Sequence, residues 1–124
     1  MYKPKAVISL FDLTGEMVKP WAEAGYHTFI FDMQHGEAYR WAWQGRTTRV
    51  GGDASTWAEP IAKVFADFEV SIIFGFPPCT DLAISGNRWR VAKAAANPNY
   101  IEEAMALVYF VRDVGEQYGV PYII

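Results

Sequence analysis

"EVSIIFGFPPC" (residues 69–79) runs a buried strand into an abrupt stop. Residues 69–76 are β-branched and aromatic without polar alternation, the pattern of a strand covered on both faces. Pro77 and Pro78 stiffen the backbone and prevent the strand from continuing, since neither offers an amide N–H to a ladder. Gly75 lets another group approach the backbone closely. Cys79, the one cysteine of the chain, is then held at a strand tip.

The same pattern recurs on either side. "KAVISLF" (5–11) and "HTFIFDM" (27–33) read as strands, "TRVGGD" (48–53) as a short third, and "VPYII" (120–124) begins one more. Helices fall between them. "TGEMVKPWAEAGY" (14–26) carries Met17, Trp21 and Ala24 at helical spacing and Gly25 at a C-terminal position, and Pro20 predicts a kink or a late start. "STWAEPIAKVFADF" (55–68) predicts a helix with Ser55 or Thr56 as cap and Pro60 in an early turn. Residues 97–119 predict a long helix, with Glu102 and Glu103 near its start and Gly119 at its end. Residues 35–50, aromatic and mixed, predict no definite element.

Strands alternating with helices predict an α/β fold with a mostly parallel sheet, three layers deep, in one domain over residues 1–124. Such sheets bind ligands beyond the carboxyl ends of their strands. Those ends lead to Asp12–Gly15, Asp32, Asp53 and Pro77–Cys79, so three acids and a thiol are expected to face one crevice.

The totals bound the function. With 124 residues, 52% of them hydrophobic and 16% aromatic, a filled globule is expected rather than a disordered chain. The net charge of −3 disfavours non-specific attraction to nucleic acid by the chain as a whole. Residues 80–93, however, carry Arg88, Arg90 and Lys93 against Asp81 alone, a local balance of +2. That trio reads as a solvated loop or as a phosphate-binding one. No apolar run approaches the roughly 18 residues of a membrane span, and the N-terminus does not read as a signal peptide. With a single cysteine, a cytoplasmic location is the expectation. His27 and His35 lack metal-ligand spacing, so no metal is expected. The apolar run ending at Ile124 suggests a longer native chain or a partner segment.

Asp32 follows an apolar strand, where a carboxylate accepts hydrogen bonds from ribose hydroxyls or serves as a loop cap. The turn "DLTGEM" (12–17) has one glycine, not the G-x-G-x-x-G that brings amides to a pyrophosphate. A phosphate-free cofactor needs less of that cradle, which favours S-adenosylmethionine over NAD. Cys79 is either a small buried hydrophobe or a nucleophile.

"SLFDLTGEMVKPWAEAGYHTFIFD" (9–32), followed by "GFPPCTDLAISG" (75–86), resembles the N-terminal half of the DNA cytosine-5 methyltransferase family. That family opens with Leu-Phe-x-Gly-x-Gly-Gly after a strand, then a helix ending in Ala-Gly-Phe. Leu10 to Gly25 keep the spacing, with Phe11 and Gly15 in place and Leu13 and Glu16 replacing two glycines. The family's Pro-Cys-Gln-x-Phe-Ser stands here as Pro78-Cys79-Thr80-Asp81-Leu82-Ala83. The resemblance implies a Rossmann-like, S-adenosylmethionine-dependent fold with Phe11 against the adenine, Asp32 on the ribose and Asp53 on the adenine amine. Thr14, Gly15, Met33 and Pro77 would complete the cofactor contacts. Cys79 would be the nucleophile that adds to carbon 6 of a cytosine flipped from double-stranded DNA. Pro78, Ser85, Asn87, Arg88 and Arg90 would face the DNA. The family's activating glutamate would lie beyond Ile124, which implies a C-terminal segment or partner chain and weak activity for these residues alone. A non-catalytic S-adenosylmethionine- or nucleotide-binding module, with Trp41 and Trp43 at an interface, is the main alternative. A cytosine-modifying enzyme with another one-carbon donor is a third.

Overall fold

The computed structural model describes residues 2–36, 41–77 and 98–124, with 41–44 as backbone only. Its strands are β1 (Lys5–Leu10), β2 (His27–Phe31), β3 (Trp41–Gln44), β4 (Thr47–Val50), β5 (Glu69–Gly75) and β6 (Tyr122–Ile123). The α-helices are α1 (Lys19–Glu23), α2 (Ala58–Asp67) and α3 (Tyr100–Tyr118). One sheet holds all six strands in the order β3-β4-β2-β1-β5-β6. Five run parallel, and β3 alone pairs antiparallel, against β4. The protein therefore has a mostly parallel α/β architecture.

The chain walks from β1 out to β2 and β4, then returns to the far side of β1 for β5 and β6. Crossovers of one hand that travel in opposite directions lie on opposite faces of a sheet. The burial agrees. Ala6, Ile8 and Leu10 of β1 join Phe29, Phe31 and Val50 beneath Ile61 and Val64 of α2 and Val111 and Val114 of α3. On the other face Val7, Ile30 and Phe74 meet Val18, with Trp21 and Tyr26 packed against them. A slip in register between Ala6 and Val7 opposite β5 lets Val70 and Ile73, three apart, face the same core. Each fully buried Val, Leu, Ile or Phe among them contributes roughly 1.5–3 kcal/mol before chain entropy is counted.

Local chemistry sets the element ends. Pro20 stands in the first turn of α1, so that helix starts late rather than kinking, and Gly25 follows it at φ +102°. Strand β1 stops at Leu10 and β2 at Phe31, so Phe11, Asp32 and Met33 belong to the loops beyond. The α2 cap also differs from the sequence expectation. Neither Ser55 nor Thr56 caps it; Trp57 occupies that position without a side-chain capping bond, and Asp53 caps a preceding 3-10 turn over Ala54–Thr56. The long helix ends on Gly119 in the left-handed conformation. The unassigned region contains a hairpin. Gln44 pairs with Thr47 across Gly45-Arg46, and φ is positive only at Gly45, the signature of a type II′ turn.

At Gly75 the sheet packs closely against α3. A Cβ there would sit 2.6 Å from Val111 Cγ1 and 3.0 Å from Val111 Cβ, against a stiff β-branched residue that is fully buried. Gly75→Ala is therefore expected to destabilise the protein by about 1–3 kcal/mol through overpacking. A guanidinium chloride midpoint unchanged from wild type would contradict it.

Candidate functional site

Parallel register aligns the strand tips in one row. Val50 lies opposite Phe31, Phe31 opposite Leu10, and Leu10 opposite Gly75. The ladders run one bond further at each tip. Asp32 N donates to the Val50 carbonyl (3.1 Å), Asp12 N to Phe31 (2.9 Å) and Phe76 N to Leu10 (2.9 Å). These bonds fix the first residue past β2 and β5 and the second past β1. The row includes the switch point between β1 and β5, where the direction of the walk reverses and a crevice opens.

A cavity of about 200 Å³ lies at this edge. Phe11, Asp32, Met33 and Asp53, four of the residues singled out in the sequence, line it together. Gln34, Ala54, Trp57, Phe76 and Leu107 complete its walls. These five were not anticipated. Leu107 had a signal, because it shares a helical stripe with Val111 and Val114, which face the core. Phe76 had another, as the first residue past the strand.

The aromatic wall is built around Phe11. Its φ is +58°, a strained left-handed conformation for a bulky side chain. The turn aims its ring at Trp57 (centroids 5.1 Å apart) and Phe110 (6.3 Å). Trp57 is buried, stacks edge-on with Phe31 at 5.4 Å, and donates its Nε1–H to the Gly51 and Gly52 carbonyls at 3.0 and 3.1 Å. The tryptophan thereby ties the β4 tip to the cavity wall.

The polar groups are carboxylates at the rim. Asp32 Oδ1 accepts from Gln34 N at 2.8 Å and caps the 3-10 turn Met33–His35. Asp53 Oδ1 accepts from Ser55 N at 2.9 Å and from the Ser55 hydroxyl. The Ser55 hydroxyl and then its amide hold the Asp53 carboxyl below its ordinary value, so it stays an anionic acceptor. Among the described residues, Oδ2 of neither acid has a hydrogen-bond donor.

Asp12 does not join them. Its carboxylate turns inward, where Ser9 Oγ donates to Oδ2 at 2.7 Å and Gly15 N to Oδ1 at 2.8 Å. His35 Nε2 donates to the Asp12 carbonyl at 2.9 Å and ties the β1 loop to the β2 loop. Asp12 is thus a structural acid, and two acids rather than three face the cavity. Thr14 and Gly15 also lie elsewhere, along a cleft on the α1 side with Lys19 and Arg49. The Gly15 amide is already engaged by Asp12, so it does not contribute to the cavity. Pro77 is half-buried just past Phe76 and is not part of the lining. Cys79, Pro78, Ser85, Asn87, Arg88 and Arg90 lie outside the described residues, as do the side chains of Trp41 and Trp43.

No family model, curated protein or solved structure matches the chain. Among the described residues no helix is long and apolar enough to cross a membrane, and no group of three or more His, Cys, Asp or Glu is assembled that would hold a metal ion.

Proposed function

We propose that the chain is the cofactor-binding and nucleophile part of an S-adenosylmethionine-dependent DNA cytosine-5 methyltransferase. The observation that carries this reading is the convergence of Phe11, Asp32 and Asp53 on one cavity at the switch point. The parallel strands, taken alone in chain order, follow 3-2-1-4-5, the order of doubly wound nucleotide-binding sheets. The cavity is smaller than the roughly 300–1,000 Å³ of drug-sized sites, which suits one nucleoside rather than a dinucleotide.

The residues fit the adenosine part of that cofactor. Phe11, half-buried and backed by Trp57, offers an aromatic face for a purine, and two rim carboxylates keep one oxygen each for a partner. Asp32 would accept from ribose hydroxyls, and the anionic Asp53 would accept from an exocyclic amine. When bound, the cofactor supplies an electrophilic methyl group. Phe11, Trp57 and Phe76 would exclude water on one side, and Cys79, two residues after Pro77, would supply the thiolate that adds to cytosine carbon 6. Where the chain departs from the family at Leu13 and Glu16, Gly15 turns its amide to Asp12, so the family's glycine cradle is not reproduced.

Isothermal titration with S-adenosylmethionine tests the reading. Saturable one-to-one binding is expected, and Asp32→Asn, which keeps the turn cap but loses the charge, is expected to weaken it roughly tenfold. Absence of saturable binding by the wild-type chain, or equal affinity in the variant, would sink this assignment.

A further inference from the structure

The opposite edge of the sheet, where the strands begin, holds a second concavity of about 480 Å³. Lys5 opens β1, His27 opens β2, Glu69 opens β5, and Arg46 sits in the hairpin turn before β4; all four line this cleft with Lys3 and Tyr26. It thus gathers three permanent cations around one acid. Among the described residues none of the three is ion-paired. Two of them donate to carbonyls, which hold them without neutralising them. Lys3 Nζ donates to the Phe65 carbonyl at 3.4 Å, and Arg46 Nη1 to the Gly25 carbonyl at 3.3 Å.

Arg46 is thereby braced across the cleft with its remaining N–H groups unspent, the fork geometry that suits a phosphate. His27 carries the same signature: burial first, and then the charge of Arg46, push its pKa below the ordinary value. That shift favours the neutral imidazole, so among the described residues the positive charge of the cleft rests on Lys3, Lys5 and Arg46, opposed by Glu69. Tyr26 adds an aromatic face beside the charges.

We propose that this cleft is an anion site for a small phosphomonoester carrying a ring, distinct from the nucleoside cavity on the far edge of the sheet. Concavity and charge decide between a small ligand and a polyanion. The cations converge on one pocket instead of spreading along a track, and the chain's net charge of −3 works against a long polyanion leaving the pocket.

The test is a titration of the whole chain followed by amide NMR shifts, with phenyl phosphate, inorganic phosphate, phenol and a short single-stranded oligothymidylate as probes. Phenyl phosphate is expected to move the Lys5, His27 and Arg46 amides saturably, inorganic phosphate to move them more weakly, and phenol not to move them. Ala54 and Trp57 at the other edge should stay still, which keeps the outcome independent of the methyltransferase reading. Lys5→Gln and Arg46→Gln are each expected to weaken phenyl phosphate roughly tenfold. Lys5 is exposed, so its variant should fold even if loss of the Arg46 brace disturbs the turn. No saturable shift, undiminished affinity in Lys5→Gln, or tighter binding of the oligonucleotide at the same amides would overturn the proposal.

Discussion

Trp57→Ala is expected to cost about 3–5 kcal/mol of folding stability, the usual range for emptying a buried aromatic site. Against a typical total of about 5–15 kcal/mol, that is roughly a fifth of the stability or more. Three features put Trp57 at the top of that range. It is 1% exposed and among the largest fully buried side chains of the core. It contacts rings from three elements, Phe11 past β1, Phe31 of β2 and Phe110 of α3, so no single neighbour can collapse into the space it leaves. Its indole N–H also satisfies the Gly51 and Gly52 carbonyls. Trp57→Phe separates these contributions. It keeps most of the ring contact and loses the donor, so a smaller cost of about 1–2 kcal/mol is expected. Urea unfolding of the two variants measures both. The alanine variant should in addition lose nucleoside binding, because Trp57 is a wall of the cavity and braces Phe11 in its strained turn. A cost below about 1 kcal/mol for Trp57→Ala would contradict this account of the core.

The weight carried by Trp57 was not visible in the sequence, and the reason is physical. A tryptophan just before a helix, in a polar stretch, has no periodicity to mark it as core. Its burial depends on the 3-10 turn that Asp53 caps, a short-range bond that moves the start of α2 past Ser55 and Thr56. The strands were legible for the opposite reason. Sheets covered on both faces demand unbroken apolar runs, and "KAVISL", "HTFIF" and "EVSIIFG" answer that demand directly. The β3–β4 hairpin was hidden by its mixed composition, although Gly45 followed by one residue before "TTRV" is a recognised hairpin signal.

The site was partly legible. Position at a strand tip picked out Asp12, Asp32 and Asp53 equally, because topology brings all three to one edge. What separates them is a side-chain bond. Ser9 is fully buried in β1 and needs an acceptor, and Asp12, three residues on, turns inward to provide it. A serine inside a buried strand was the available hint. Among the described residues Asp32 and Asp53 have no such buried donor beneath them, so they stay at the rim.

Cys79→Ser is expected to abolish covalent capture of DNA that contains 5-fluorocytosine, a loss of more than a hundredfold against the wild-type chain. The chemistry sets the size of the effect. In the proposed reaction, addition of the Cys79 thiolate would form a sulfur–carbon bond at carbon 6 and move an electron pair to carbon 5, where the bound donor would supply a methyl group. With cytosine, a base removes the carbon 5 proton, the electron pair re-forms the ring double bond, and the thiolate leaves. With fluorine at carbon 5 there is no proton to remove, so the adduct persists and survives denaturation. A thiol of ordinary pKa near 8.5 supplies some thiolate at neutral pH, whereas a serine hydroxyl supplies essentially no alkoxide. The assay is a denaturing gel of the chain together with the C-terminal segment or partner chain that the resemblance implies, fluorinated duplex and S-adenosylmethionine. A shifted band is expected for wild type and for a Cys79→Ser control none. Binding of S-adenosylmethionine should be unchanged in the variant, since the site proposed for it is built on Phe11, Asp32 and Asp53. Cofactor binding without any shifted band in wild type would leave a binding module and remove the transferase assignment. A band that persists in Cys79→Ser would move the nucleophile to another residue.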